Sequence, residues 1–244
     1  MPAAILLALS LAGAPPDTTA EDVIGAMHER YAGSWPKNVT FVQTSSWIES
    51  DSIVRQETWY EAIEPGKLRI DIAPLENGNA ILFRNDSVYR FQSDSLVASA
   101  YQPHPLMVLS RDVYELPPEQ TMAKLERLGF DLTKVREDVW QGRPAWVVGA
   151  AAGDSTSAQF WVDRERLLFT RLIQPSRQDP SVTEEIQFNE YVPLGNGWIE
   201  TEVVFLANGR RVFHEAYAEP RENVTFDDAL FDPQRFGRPG WVKE

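Results

Sequence analysis

The chain has 244 residues, is 43% hydrophobic, and carries a formal net charge of −13 with a pI near 4.7. That length suits one domain with a real core. An acidic surface repels phosphate backbones and argues against a nucleic-acid partner. The absence of cysteine excludes disulfides, thiolate metal sites and Cys nucleophiles.

Ala3 to Leu11 is an apolar run too short to span a bilayer. Ala12-Gly13-Ala14 follows with the small-x-small form of a signal-peptidase site. Residues 1–14 are therefore expected to be a signal peptide, and the mature chain an exported, soluble protein. Thr18 to Tyr31 reads as an amphipathic helix. Thr18 and Glu21 have capping-box spacing, Val23, Ile24, Met27 and Tyr31 form one stripe, and Gly33 ends it. His28 lies off that stripe and is expected to be solvated.

Asn38 to Ile72 reads as three antiparallel strands, separated by the turns Glu49-Ser50-Asp51-Ser52 and Glu64-Pro65-Gly66. In the third, Leu68, Ile70 and Ile72 alternate with Lys67, Arg69 and Asp71. Val39, Phe41 and Trp47 share a parity in the first, and Trp59 faces away from Tyr60 in the second. Turn signals at Asn77-Gly78 and Asn85-Asp86 bracket short strands at Ala80–Arg84 and Ser87–Gln92, with another near Leu96–Ala100.

The strand pattern then breaks. Pro103, Pro105, Pro117 and Pro118 make further strands untenable. Pro105 to Leu109 reads as a short apolar helix and Pro118 to Leu128 as a longer one, stopped by Gly129. An irregular helical insert amid strands is a candidate lid. Strands resume at Leu132–Val139, Ala145–Ala150, Ala158–Val162 and Leu167–Ile173. A last meander covers Thr183–Val192, Trp198–Leu206 and Arg210–Ala218, with Asn208-Gly209 as a hairpin turn. Phe226 to Phe231 reads as one helical turn, and residues 237–244 as a loose tail. The expected fold is mainly β with a few helices. It is a strongly curved antiparallel sheet, an incomplete β-barrel, with the N-terminal helix and a helical lid on its concave side.

No nucleophile elbow, P-loop, dinucleotide fingerprint or zinc-protease motif occurs. His28, His104 and His214 are isolated, and His104 is expected at the surface. No metal or cofactor is expected. Glu200 and Glu202 share a strand face, the one pair compatible with two-carboxylate hydrolysis; the chain is otherwise read as a non-enzyme. Eight Trp, twelve Phe and seven Tyr lie largely in strands. The pattern fits both a dry core and a non-directional apolar cavity.

Several short segments resemble one family in their order and spacing. These are Phe41-Val-Gln-Thr44, a second strand ending before Pro65, Leu68-Arg-Ile-Asp71, Asn85 to Phe91, Phe160-Trp-Val-Asp163 and Asp228-Ala-Leu-Phe-Asp-Pro233. Together they are similar to the LolA-type periplasmic carriers of outer-membrane lipoproteins, over residues 17–236. The resemblance implies an incomplete barrel holding lipoprotein acyl chains or another lipid. It implies an inner-membrane release complex and an outer-membrane acceptor as partners, and a periplasmic location. Phe41, Trp47, Trp59, Leu68, Ile70, Ile72, Phe91 and Phe188 are the expected lipid-binding lining, with Leu106, Met107 and Leu109 as lid. One departure is Glu64, where the carriers have an Arg that takes part in controlling the lid. A regulatory module that senses lipid or protein and binds a partner is the other function this resemblance allows.

Overall fold

The computed structural model describes residues 18–227 and 229–242. The expected signal peptide lies outside these residues. Thirteen strands form one antiparallel sheet, curved and not closed into a barrel. Its first half is an unbroken meander: β1 (Val39–Glu49), β2 (Ser52–Glu64), β3 (Lys67–Ile72), β4 (Asn79–Arg84), β5 (Ser87–Gln92) and β6 (Ser95–Tyr101). Its second half runs through β7 (Val135–Trp140), β8 (Arg143–Val148), β9 (Gln159–Asp163), β10 (Phe169–Pro175) and β11 (Thr183–Asn189). A small separate hairpin, β12 (Val192–Leu194) and β13 (Gly197–Ile199), leads into β14 (Glu202–Ala207) and β15 (Arg210–Glu222).

The halves are joined in the middle. β15 pairs with β1 on one side and β14 on the other, and β14 pairs with β11. The sheet edges are β6 and β7. Register shifts fall within the β1–β2, β1–β15, β14–β15, β9–β10 and β5–β6 pairs. An extra residue on one strand bends that strand and increases its twist, which is how so wide a sheet curls.

Helix α1 (Ala20–Tyr31) starts one residue later than the sequence suggests. Thr19, not Thr18, caps it, and the reciprocal partner is Asp22 rather than Glu21. Both pairs satisfy the spacing; the chosen one leaves Val23, Ile24, Met27 and Tyr31 buried. The insert after β6 is helical throughout. It comprises α2 (Pro105–Met107), a π-helical turn (Val108–Asp112), α3 (Val113–Glu115) and α4 (Pro118–Arg127).

Three packing regions result. Helices α1, α3 and α4 cover the second half of the sheet and fill it completely. Ile24, Met27, Leu109, Val113 and Leu125 meet Phe160, Val162, Phe169 and Leu172, all essentially inaccessible. Tyr31, Trp35 and Tyr114 stack at one end, with Trp35 and Tyr114 centroids 3.9 Å apart. On the opposite, convex face of β2–β5 lies the C-terminal segment, with Leu230 and Phe231 against Ala62, Leu82 and Phe91. Residues 237–242 are not loose there. The Gly237 carbonyl accepts from Arg69, and Trp241 packs against the same cluster. The third region is the concave face of β1–β4.

Candidate functional site

Strand alternation decides what β1–β4 present to the concave side. Phe41 lies opposite Glu61, Glu61 opposite Ile70, and Ile70 opposite Ile81. Ile63, Leu68 and Phe83 form the next row. These side chains wall a cavity of about 260 Å³, roofed by Leu106 and Met107 and continued by Phe188, Phe205 and Phe213. Two contacts fasten the near end of the helical insert beside it. The Asp112 carboxylate accepts from the Gly66 N–H at 2.7 Å, and Arg111 donates to Glu200 at 2.7 Å. Gly66 sits at φ +72°, a conformation that suits glycine and turns its N–H toward the insert.

Of the residues expected to line a site, Phe41, Trp59, Leu68, Ile70, Phe188, Leu106 and Met107 meet at this cavity. Trp47 and Ile72 share its face but sit beyond its walls. Trp47 packs on Trp59 and Phe213, with the Arg55 guanidinium 4.2 Å from its ring centre. Ile72 packs with the aliphatic residues around the cavity. Two expectations are corrected. Phe91 pairs beside Ala80, whose side chain points away from Ile81, so it faces the convex side and stacks on Phe236 at 3.8 Å. Leu109 is turned by the π-helical turn into the filled core under α1.

The cavity is not purely apolar. Gln43, Glu61, Ser110, Arg111, Glu200, Glu215 and Tyr217 also line it. Glu61 is 6% exposed and has no hydrogen bond or ion pair to a described side chain; burial, reinforced by Glu215 and Glu200, holds its carboxyl well above the usual range. Burial also raises Glu200, against the pull of Arg111. Glu215 is pushed up to about 7 by burial, although the Tyr217 hydroxyl donates to it at 2.7 Å. Burial opposes the Arg111 charge, but Glu200 with Tyr191 and Tyr217 together outweigh it and keep the guanidinium protonated.

His104, expected at the surface, is instead part of the wall. Its ring meets Phe83 edge-on at 4.7 Å, and burial lowers its pKa to about 4. It is therefore neutral near pH 7, and Nδ1 accepts from the Met107 N–H at 3.4 Å. Glu200 and Glu202 do not share a face. A break between β13 and β14 turns Glu200 inward to Arg111, while Glu202 faces His214 across the sheet at 3.1 Å. The paired-carboxylate arrangement is thus absent at these two residues. Glu64, in place of the carriers' Arg, binds Lys67 at 2.8 Å in its own hairpin. The guanidinium that fastens the insert is Arg111, on the insert itself.

The polar group was partly readable. Glu61 has the parity of Trp59 and Ile63, so alternation alone places it inside. Sequence marked Glu200 only as half of a carboxylate pair with Glu202, and nothing in it marked Arg111. Among the described residues no cluster of His, Asp and Glu has metal-holding geometry, and no helix is long and apolar enough to cross a membrane.

No protein-family model and no curated protein sequence matches the chain. Solved structures do. A DUF1329 family protein from Desulfovibrio piger superposes with a TM-score of 0.58 at 14% identity, over 87% of this chain and 95% of that one. An outer-membrane lipoprotein-sorting protein domain from Vibrio parahaemolyticus gives 0.55 at 11% identity, over 88% and 96%. A LolA superfamily protein from Nitrosomonas europaea gives 0.52 at 10% identity, over 88% and 97%. The resemblance read from short motifs therefore holds in three dimensions: this chain has the fold of the LolA superfamily and lipoprotein-sorting structures.

Proposed function

We propose that the protein is a periplasmic carrier that shelters an acyl chain, of a lipoprotein or another lipid, in the cavity between β1–β4 and the helical insert. The observation that carries this reading is the contrast in cover. The sheet's second half is filled by helices, whereas Phe41, Leu68, Ile70 and Phe83 face open space under Leu106 and Met107. An acyl chain entering there would gain about 0.8 kcal/mol per CH₂ buried. The fold shared with lipoprotein-sorting structures supports the same reading.

The test is native mass spectrometry on protein purified from periplasmic extract, beside organic extraction and titration with a fluorescent fatty-acid probe. A co-purifying acyl-chain mass, or saturable probe uptake abolished by Ile70→Glu, is the expected result. An empty protein that takes up no probe overturns the proposal.

A further inference from the structure

The polar residues of the cavity are lopsided in chemistry. Three acids, Glu61, Glu200 and Glu215, face one guanidinium, Arg111, and that guanidinium is already committed to Glu200. The atoms left over are mostly acceptors. Glu61 is more than nine-tenths buried, lines the cavity and has no side-chain partner among the described residues. Gln43, 1% exposed, donates through its amide nitrogen to Ser45 at 2.8 Å and leaves its Oε1 without a donor. Glu200 Oε2 is likewise unpartnered; against these stands one orphan donor, Arg111 Nε. Buried polar atoms are almost always satisfied in a working state, because each one left bare costs free energy. What would satisfy this set is a group with several N–H donors and a positive charge. A carboxylate or phosphate would add an acceptor beside three acids. A bare hydrocarbon would leave every orphan as it is.

We propose that the cavity takes an amphiphile bearing an ammonium group, with Glu61 and the Gln43 carbonyl receiving the ammonium and the aliphatic wall receiving the chain. This rests on the carrier reading above and names the ligand class for the same cavity. Phe41, Trp59, Ile63 and Ile70 surround Glu61 on the same face, so head and chain can be buried together. A cation also accounts for an acid placed in so apolar a wall: burial favours its neutral form in the empty cavity, and the ligand's charge favours the ionised one.

The test compares decylamine, decanol and decanoate, all below micelle formation at pH 8, by displacement of a fluorescent acyl probe from the intact protein. An alkylamine titrates near 10, like lysine, and is charged there. Decylamine is expected to bind at least tenfold more tightly than decanol, and decanoate more weakly than decanol. Glu61→Gln, close in shape, is expected to bring the amine-to-alcohol ratio within about twofold. Equal binding of amine and alcohol, or preference for decanoate, overturns the ammonium assignment while the carrier reading stands. Binding of none of the three overturns the carrier reading and this inference with it. The comparison is made on the unaltered protein, so it remains decisive if the variant fails to fold.

Discussion

The two halves of the concave face are built from the same materials and end in different states. Both are antiparallel, both carry aromatic and branched aliphatic residues inward, and both lie beneath helices. Over β8–β11, α1, α3 and α4 press Ile24, Met27, Leu109 and Leu125 onto Phe160 and Leu172, and nothing is left open. Over β1–β4, only α2 and the π-helical turn reach across, and they bring Met107 and Arg111 rather than a full apolar helix. An apolar sheet face is therefore not a site in itself; the shape of its cover decides. The buried acids that line the cavity, Glu61 and Glu200, belong to the open half.

This comparison can be broken by substitution. The largest effect is expected on the convex side, which serves as a control. Arg69 and Asp71 form a buried ion pair at 2.8 Å, and Arg69 also donates to the Leu230 and Gly237 carbonyls. Arg69→Ala leaves a buried carboxylate alone and should cost about 3–5 kcal/mol in chemical denaturation. A loss under about 1 kcal/mol would mean the C-terminal segment does not seal that face. In the filled half, Leu109→Ala should cost about 2–5 kcal/mol, with the probe's Kd unchanged while the protein stays folded. A changed Kd would show that the two halves communicate.

In the open half, Ile70→Ala should do the reverse. The lost aliphatic contact is worth about 2 kcal/mol of binding, roughly 30-fold in Kd, with a smaller loss of stability than Leu109→Ala. Equal stability losses and no change in Kd would make the open half an ordinary core. The smallest effect is on pH. Glu215 titrates at about 7 when folded against an ordinary 4.5, so the folded chain keeps a proton that the unfolded chain has lost. Stability should therefore fall as pH rises from 4.5 to 7. Glu61 and Glu200, also raised, add slope of the same sign. Glu215→Gln should make the decline shallower; an unchanged slope would place the Glu215 carboxyl in solvent.

Much of this was legible in the chain. The strands announced themselves because a period of two with turn residues between is a local signal, and the resemblance to the LolA type lay in segments of four to seven residues. Most of what escaped were single-residue shifts of phase. The break at Glu200-Thr201 reverses which side chains face inward, so a strand read as continuous from Trp198 to Leu206 put Glu200 and Glu202 together wrongly. The π-helical turn does the same to the lid: extra backbone per turn carries Leu109 away from the cavity and sets Arg111 toward Glu200. Phe91 was misplaced because an aromatic in a strand was taken for a cavity residue, when its parity matched Tyr89 and the convex face. Glu61 was given no role, although it shares the parity of its neighbours Trp59 and Ile63.

The most direct measurement uses the methionines. Met107 roofs the cavity, and Met27 lies in the filled half with no accessible surface. With methyl-¹³C methionine in the protein, a decyl-chain ligand is titrated and the two methyl resonances are followed. The account predicts that the Met107 methyl shifts and saturates with the ligand while Met27 stays in place. A shift at Met27 without one at Met107, or no shift at either as ligand binds, would contradict it.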